Sequence, residues 1–558
     1  MKPTLLPVCV LAAAAVAAAT AQSTNLTAEG KAWWAHVQFL ADDKLEGRNV
    51  GTPGFEKAVQ YVEAQFREVG LKPGGTNGFR QLVQLDSRQL VPEQSRLTLV
   101  RDGRETPLAI GADASLSARG ELDGAMEAPM VFVGYGMSIP EAGWDEFAGL
   151  NLKGRIAVYV NAFPPVTVSD NVKSHVNTAD ERWLALKRAG AIGVATMAAP
   201  RPTGNPAPGP ASTAPPPANT GTAGRGLQSG AGVPVTAAAP LITLLDRELN
   251  DAAGEAVAIS LTARGAAALF EGSGHTLDEI GQLVADAKPL PRFALPGTLK
   301  AQARLKRDTI DSTNVVGVFE GSDPALKSEY VIMTAHLDHV GVGRAVNGDT
   351  IYNGAMDDAS GVAAVIETAR LLKASGVKTK RSVAFVAVTA EEKGLLGSRY
   401  FASRPTVPFK QIVADINLDM FLPLYALKVI EVQGLTESSL GETVRGAAKT
   451  LGVEVQTDRE PEQNRFIRSD QYSFIRKGVP ALAFKFGYES GSPEETTRRN
   501  WVRDVYHKPN DDPNQPVNIE AAATFNRVIM TLLQRVANDT ARPTWNSDSF
   551  FKRFATAR

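Results

Sequence analysis

Hydrophobic positions in residues 27–70 recur at helical spacing: Trp33 and Trp34, Val37, Phe39 and Leu40, then Val59, Val62 and Phe66. Gly47, Gly51, Pro53 and Gly54 interrupt the run, which predicts two helices joined by a loop. From Phe79 to about Ala125 the period shortens to two, as in Leu97-Thr98-Leu99-Val100 before Asp102-Gly103, and strands with hairpins are predicted. A buried strand at Pro129–Val133 closes on Gly134-Tyr135-Gly136. Strands Arg155–Val160 and Ala191–Ala195 flank a helix over Asp180–Arg188, the rhythm of a small β/α module. Strand-like Pro240–Leu245 and Ala256–Leu261 are expected to close that module, and a polar stretch leads out through residues 271–295.

From Ser312 onward apolar strands alternate with helices: Val315–Phe319, Val331–Thr334, a helix over Ser360–Ala374, Val383–Thr389, a helix near Leu395–Phe401, and Ile412–Leu418. This alternation predicts an α/β fold, a mixed and largely parallel central sheet flanked by helices, with sites at the carboxyl ends of the strands. The expected organisation is a leader over 1–21, an N-terminal part of the main unit over 22–124, an inserted β/α module over 125–295, a catalytic domain over 296–540 and a tail over 541–558. Residues 199–240 are dominated by Pro, Gly, Ala, Ser and Thr, which bury too little apolar surface to order a segment, so a flexible excursion is expected there.

Composition narrows the function classes. The 59 basic and 60 acidic residues leave a net charge of −1, which argues against a nucleic-acid or anionic-membrane partner. Lys2, the apolar run Leu5–Ala19 and Ala19-Thr20-Ala21 fit a secretory signal cleaved before Gln22, so a secreted or periplasmic protein is expected, with no membrane anchor. A lipoprotein anchor on Cys9 fits less well, because Val8 stands where a small residue is wanted. Cys9 is the only cysteine, so no disulfide and no thiolate metal site is expected downstream.

Candidate ligands fall at successive strand ends. His336-Leu337-Asp338-His339 follows the strand Val331–Ala335, and in a His-x-Asp a nearby carboxylate can hold the ring nitrogen that does not bind metal. Asp357 and Asp358 stand before a helix, where Asp358 or Ser360 can cap it and Asp357 is left free to bridge two cations. Glu391 and Glu392 close the strand that begins at Val383; paired glutamates there can complement a helix dipole, or one can bind metal while its neighbour carries protons. Asp419 ends a third strand, and His507 adds an imidazole near the C-terminus. Together they make two sites of nitrogen and oxygen ligands sharing one carboxylate, suited to zinc, with cobalt or manganese as substitutes. His36, His175, His275 and His339 are left without a ligand role, although His339 stands near enough to support the ligands from behind.

On these residues, with Leu45-Glu46-Gly47-Arg48 and Gly51-Thr52-Pro53-Gly54, the chain resembles the co-catalytic zinc aminopeptidases of clan MH, metallopeptidase family 28. The resemblance implies two zinc ions: His336 and Asp419 on one, Glu392 and His507 on the other, Asp357 bridging, and Glu391 as general base. It places Asp338 behind His336 and implies a cis peptide between Asp357 and Asp358. It also implies substrate contacts from Arg468 and Asp470 and an oxyanion contact from Tyr506. Gln471 departs from the histidine frequent at its position. Val131–Gly136, Leu152-Lys153-Gly154-Arg155 and Ala189–Gly193 resemble a protease-associated domain.

The implied activity is hydrolysis of N-terminal peptide bonds in peptides with a free N-terminus, by water activated between two metals. Carboxypeptidase or glutaminyl-cyclase chemistry uses a nearly identical metal set, and a non-catalytic binding or receptor module is the alternative from another class.

Overall fold

The computed structural model describes residues 25–200 and 240–557. The expected signal at 1–21 and all but the ends of the Pro/Gly-rich segment lie outside the described residues. The chain divides into two compact units, one of residues 1–83 and 312–558 and the other of residues 84–311.

The first unit is built on a sheet whose consecutive strands are Leu305–Phe319, Ser382–Val388, Tyr330–His336, Ile412–Asn417, Ala481–Phe486, Val429–Gln433 and Glu454–Gln456. Four of these, from Ser382–Val388 to Ala481–Phe486, run parallel, and their neighbours on either side are antiparallel to them. The parallel strands are apolar at nearly every position because helices cover both faces. Alternate residues divide between the two sides: Val331, Met333, Val383, Phe385 and Ala387 pack with Val362, Val365, Val528 and Leu532. Ile332, Ala384, Val386 and Val388 pack on the other face with Phe401 and Phe474. Truncating a ring as enclosed as Phe385 should cost about 3–5 kcal/mol.

Register sets where chemistry can sit. His336 pairs with Val388 and Thr334 with Asn417, so three parallel strands end at one level, and the segments that follow them emerge together. The helix over residues 25–40, a turn at Asp43–Arg48 and the helix Pro53–Val69 belong to this unit, as the sequence predicts; Trp33, Val37, Leu40, Val59, Val62 and Phe66 join its core. Between His339 and Asp357 the chain makes a hairpin of Gly341–Val346 and Asp349–Tyr352, turned at Asn347 and Gly348, both with positive φ. Such a pair is what a tight hairpin turn of matching twist requires.

The second unit carries an eight-stranded mixed sheet in which Gly124–Phe132, Ile156–Val160, Gly193–Met197 and Val257–Leu261 run parallel in that order. The hairpin Arg96–Arg101 and Arg104–Leu108 extends it through Phe293–Ala303. Leu241–Leu244 does not close this module as the sequence predicts; it pairs antiparallel with residues 85–88. The polar stretch at 271–295 contains a helix, Leu277–Ala285, started by a capping box in which Thr276 and Glu279 satisfy each other's backbone N–H groups. Among the described residues no helix is long and apolar enough to cross a membrane.

Candidate metal centre

His336 closes its strand, and the residues after it are pinned from several sides. Its Nδ1 lies 3.0 Å from the backbone carbonyl of Asp338, which can only accept, so Nδ1 carries the proton and Nε2 is directed inward. The Asp338 carboxylate is engaged elsewhere: it accepts the backbone N–H of Glu391 at 3.0 Å and of Glu392 at 3.3 Å. The expected hold of Asp338 on His336 is therefore exerted by its main chain, while its side chain positions the glutamate pair. Those glutamates lie in a turn before the helix Leu396–Ser403, not in a first helical turn where they would offset a dipole.

Asp357 lies before the helix Ser360–Ala374, and its peptide bond to Asp358 is cis. Asp358 ties three segments together, accepting the N–H of His336 at 3.2 Å, of Gly361 at 3.0 Å and of Met420 at 3.2 Å. This leaves Asp357 to face both halves of the centre. Its Oδ1 is 3.1 Å from His336 Nε2, and its Oδ2 is 3.0 Å from His507 Nε2. Glu392 Oε1 stands 3.1 Å from His507 Nε2 and 2.8 Å from His339 Nδ1. Asp419 Oδ1 is 4.0 Å from His336 Nε2.

Two groups result whose donor atoms lie within 4.8 Å of one another: His336, Asp357 and Asp419, and His339, Asp357, Glu392 and His507. The fit to cations can be tested on the atoms themselves. Asp357 Oδ2, both Glu392 oxygens, Asp419 Oδ1 and both His339 nitrogens are buried without a hydrogen bond. Buried polar atoms left this way cost about 1–3 kcal/mol each, and converging carboxylate and imidazole lone pairs repel unless a positive charge lies between them. The nitrogen and oxygen donor set suits zinc, and Asp357 is the residue placed to serve both groups.

Electrostatics follow from the burial. Burial alone would lower His336 and His507, but Glu391, Asp357 and Asp358 around the first, and Glu392 and Asp357 around the second, hold both well above the ordinary histidine value. Burial would raise Asp357 and Glu392, and the facing imidazoles pull both below the usual carboxylate range. Glu391 belongs to neither donor group. Burial and the charges of Glu392, Asp470 and Asp419 push its carboxyl well up, and His336 opposes them.

The remaining residues flank this centre. The Tyr506 ring stacks on His507 with centroids 3.9 Å apart. Arg468 is anchored by a 3.3 Å bond from Nη1 to Gln463 O. Asp470 is fully enclosed, and burial lifts its carboxyl to about 7. Gln471 accepts from Asn417 Nδ2 and donates to Phe466 O, which tethers the end of the Asp419 strand. His339, expected only near the ligands, is buried in the second group, and Lys485, which the sequence does not single out, donates its ammonium proton to the Asp419 carbonyl. The doubled histidine in His336-Leu337-Asp338-His339 was the available signal for the first; nothing local marks the second.

Residues 314–533 match the model of Peptidase family M28. That stretch is thus similar to the M28 peptidases. All five residues with expected metal roles, and Glu391, fall inside it. A probable leucine aminopeptidase 2 of Aspergillus fumigatus is 30% identical over 224 residues, 38% of this chain and 42% of the relative. Carboxypeptidase Q of Xenopus laevis is 32% identical over 148 residues, 25% of this chain and 29% of the relative. The chain thus spans less than half the length of these curated relatives in the matched region. An aminopeptidase from Aneurinibacillus sp. strain AM-1 aligns over 93% of this chain and 98% of its own at 18% identity, with a TM-score of 0.48. The matches to curated relatives are confined to fractions of the chain, whereas residues 314–533, which match the family model, hold the whole candidate centre.

Proposed function

We propose that the chain is an exported zinc aminopeptidase that removes residues from the free N-termini of peptides. The observation that carries the reading is the convergence of His336, Asp357, Asp419, Glu392 and His507 into two donor groups sharing Asp357, inside the stretch that matches the M28 family model. Two zinc ions held there would supply Lewis acidity to the scissile carbonyl and to the attacking water.

The chain's own groups do the rest. Glu391, outside both donor groups and with a raised affinity for protons, takes the proton from the attacking water and returns it to the leaving amine. Tyr506, fixed by its stack on His507, is placed to donate to the developing oxyanion. Arg468 and Asp470 are assigned to substrate contacts. Glu391 and Asp419 can accept from an α-ammonium, which favours a substrate with a free N-terminus over one with a terminal carboxylate. Residues 125–295 are read as an accessory module of protease-associated type, and export rests on the leader at 1–21.

A good peptide substrate, its N-acetylated form and its C-terminally amidated form separate the alternatives, with products identified by mass spectrometry. Acetylation should abolish cleavage and amidation should change little. Loss of C-terminal residues would assign a carboxypeptidase, cyclisation of N-terminal glutamine a cyclase, and zinc without hydrolysis of any peptide a binding module.

A further inference from the structure

Arg48 lies nearly three hundred residues upstream of the first expected ligand and outside the matched domain. Its side chain is fully buried. Nε donates to Leu337 O at 2.9 Å, Nη1 to Leu40 O at 2.5 Å and to Asn353 O at 2.6 Å, and Nη2 to Gly354 O at 3.0 Å. Leu337 follows His336, and Gly354 precedes Asp357 by three residues. One planar fork therefore grips both loops that supply the shared half of the centre. The surroundings are built for this approach. Gly47 has φ of 67°, and a Cβ there would lie 2.1 Å from Tyr352 O. Asn353 Nδ2 returns two bonds, to Ala41 O at 2.9 Å and Asp43 Oδ1 at 2.8 Å, and the His339 N–H donates to Arg48 O at 3.4 Å.

We infer that Arg48 is a positioning residue of the metal centre, fixing the spacing between the His336 and Asp357 loops. The inference rests on the metal reading above. Among the described residues its side-chain hydrogen bonds all go to carbonyl oxygens, so its work is geometric: four of its five donors, at fixed angles, meet acceptors on three separate segments. A lysine carries the charge but presents its donors from one point and cannot span them. The N-terminal segment is thereby part of the metal site although it supplies no ligand.

The test compares the full-length chain with Arg48→Met, Arg48→Lys and Arg381→Met. Arg381 is an equally buried arginine whose guanidinium also holds backbone carbonyls, those of Val536, Asp539, Thr540 and Ala541, and it touches no loop of the centre. Zinc per chain is counted after dialysis, zinc release to a chromogenic chelator is timed, and folding is followed by circular dichroism. Arg48→Met and Arg48→Lys should both hold zinc about 10- to 100-fold more weakly, the usual range for residues that orient ligands. Arg381→Met should lose thermal stability yet release zinc at the parent rate. Parent-like zinc release in either folded Arg48 variant overturns the inference, as does equal loss in Arg381→Met. If Arg48→Met does not fold, Arg48→Lys decides on its own. A parent chain that binds no zinc overturns the metal reading and this inference together, whereas zinc in the parent with unchanged Arg48 variants overturns only the latter.

Discussion

Asp511 Oδ2 accepts the backbone N–H of Asp357 at 3.1 Å, and its Oδ1 accepts that of Met356 at 2.9 Å. The shared carboxylate of the centre is thus held from behind by a buried acid four residues after His507. Asp511→Ala strands two buried N–H groups, at about 1–3 kcal/mol each. It should lower the urea midpoint and release zinc, while Asp511→Asn, which keeps one acceptor oxygen, should fall between. Unchanged zinc per chain in Asp511→Ala would contradict this.

Glu391 stands apart from both donor groups, so its loss should separate chemistry from metal binding. Glu391→Gln should retain the parent zinc content and lower kcat by at least ~10²-fold with KM little changed. Near-normal turnover removes Glu391 from the reaction. His336→Ala and His507→Ala should instead lose zinc and activity together.

His339 is fully buried with Nδ1 2.8 Å from Glu392 Oε1. His339→Ala should weaken zinc retention about tenfold or more, because Glu392 loses its second imidazole. His36 is the control, since its ring pairs with Tyr61 and Glu367; His36→Ala should leave zinc per chain unchanged. Equal zinc content in both variants would assign His339 to packing alone.

In the unit 84–311, burial raises the Glu146 carboxyl from 4.5 to about 7, although it accepts the N–H groups of Tyr135 and Met137. The folded chain therefore keeps a proton that the unfolded chain releases near pH 4.5. Between about pH 4.5 and 7 this group makes stability fall as pH rises, by on the order of 3 kcal/mol at most. Glu146→Gln removes that slope, so its urea midpoint, relative to the parent, should rise from pH 4.5 to 7.5. A difference constant across that range would refute the assignment.

The strands that frame the centre were legible because a strand covered on both faces must be apolar throughout, as Val331–Ala335 and Val383–Val388 are, and polar residues can appear only where such a run ends. That placed His336, Glu392 and Asp419 at one edge. Partners that depend on distant pairing were not legible. The Asp338 side chain was expected against His336, but the backbone carbonyl was nearer to hand, and local sequence cannot tell which acceptor a ring will meet. Leu241–Leu244 and residues 85–88 find each other across about 155 residues with no signal beyond two short apolar runs. The helix Leu277–Ala285 was different: the Thr276 and Glu279 pair announced it, and the polar residues around it masked the announcement. Arg48 and Lys485 illustrate the general limit, since a long cationic side chain reads as solvated until its surroundings are known.

The hairpin turned at Asn347 and Gly348 separates His339 from Asp357 in the sequence, and neither loop depends on it for position. The loop before it is held through Leu337 and His336, the loop after it through Asn353, Gly354 and Asp358, all by bonds that bypass the turn. Backbone continuity through the tip should thus be dispensable to the centre. The chain could be opened between Asn347 and Gly348, or rejoined in a permuted order with its ends there, and both halves of the ligand set would still be drawn to the same place.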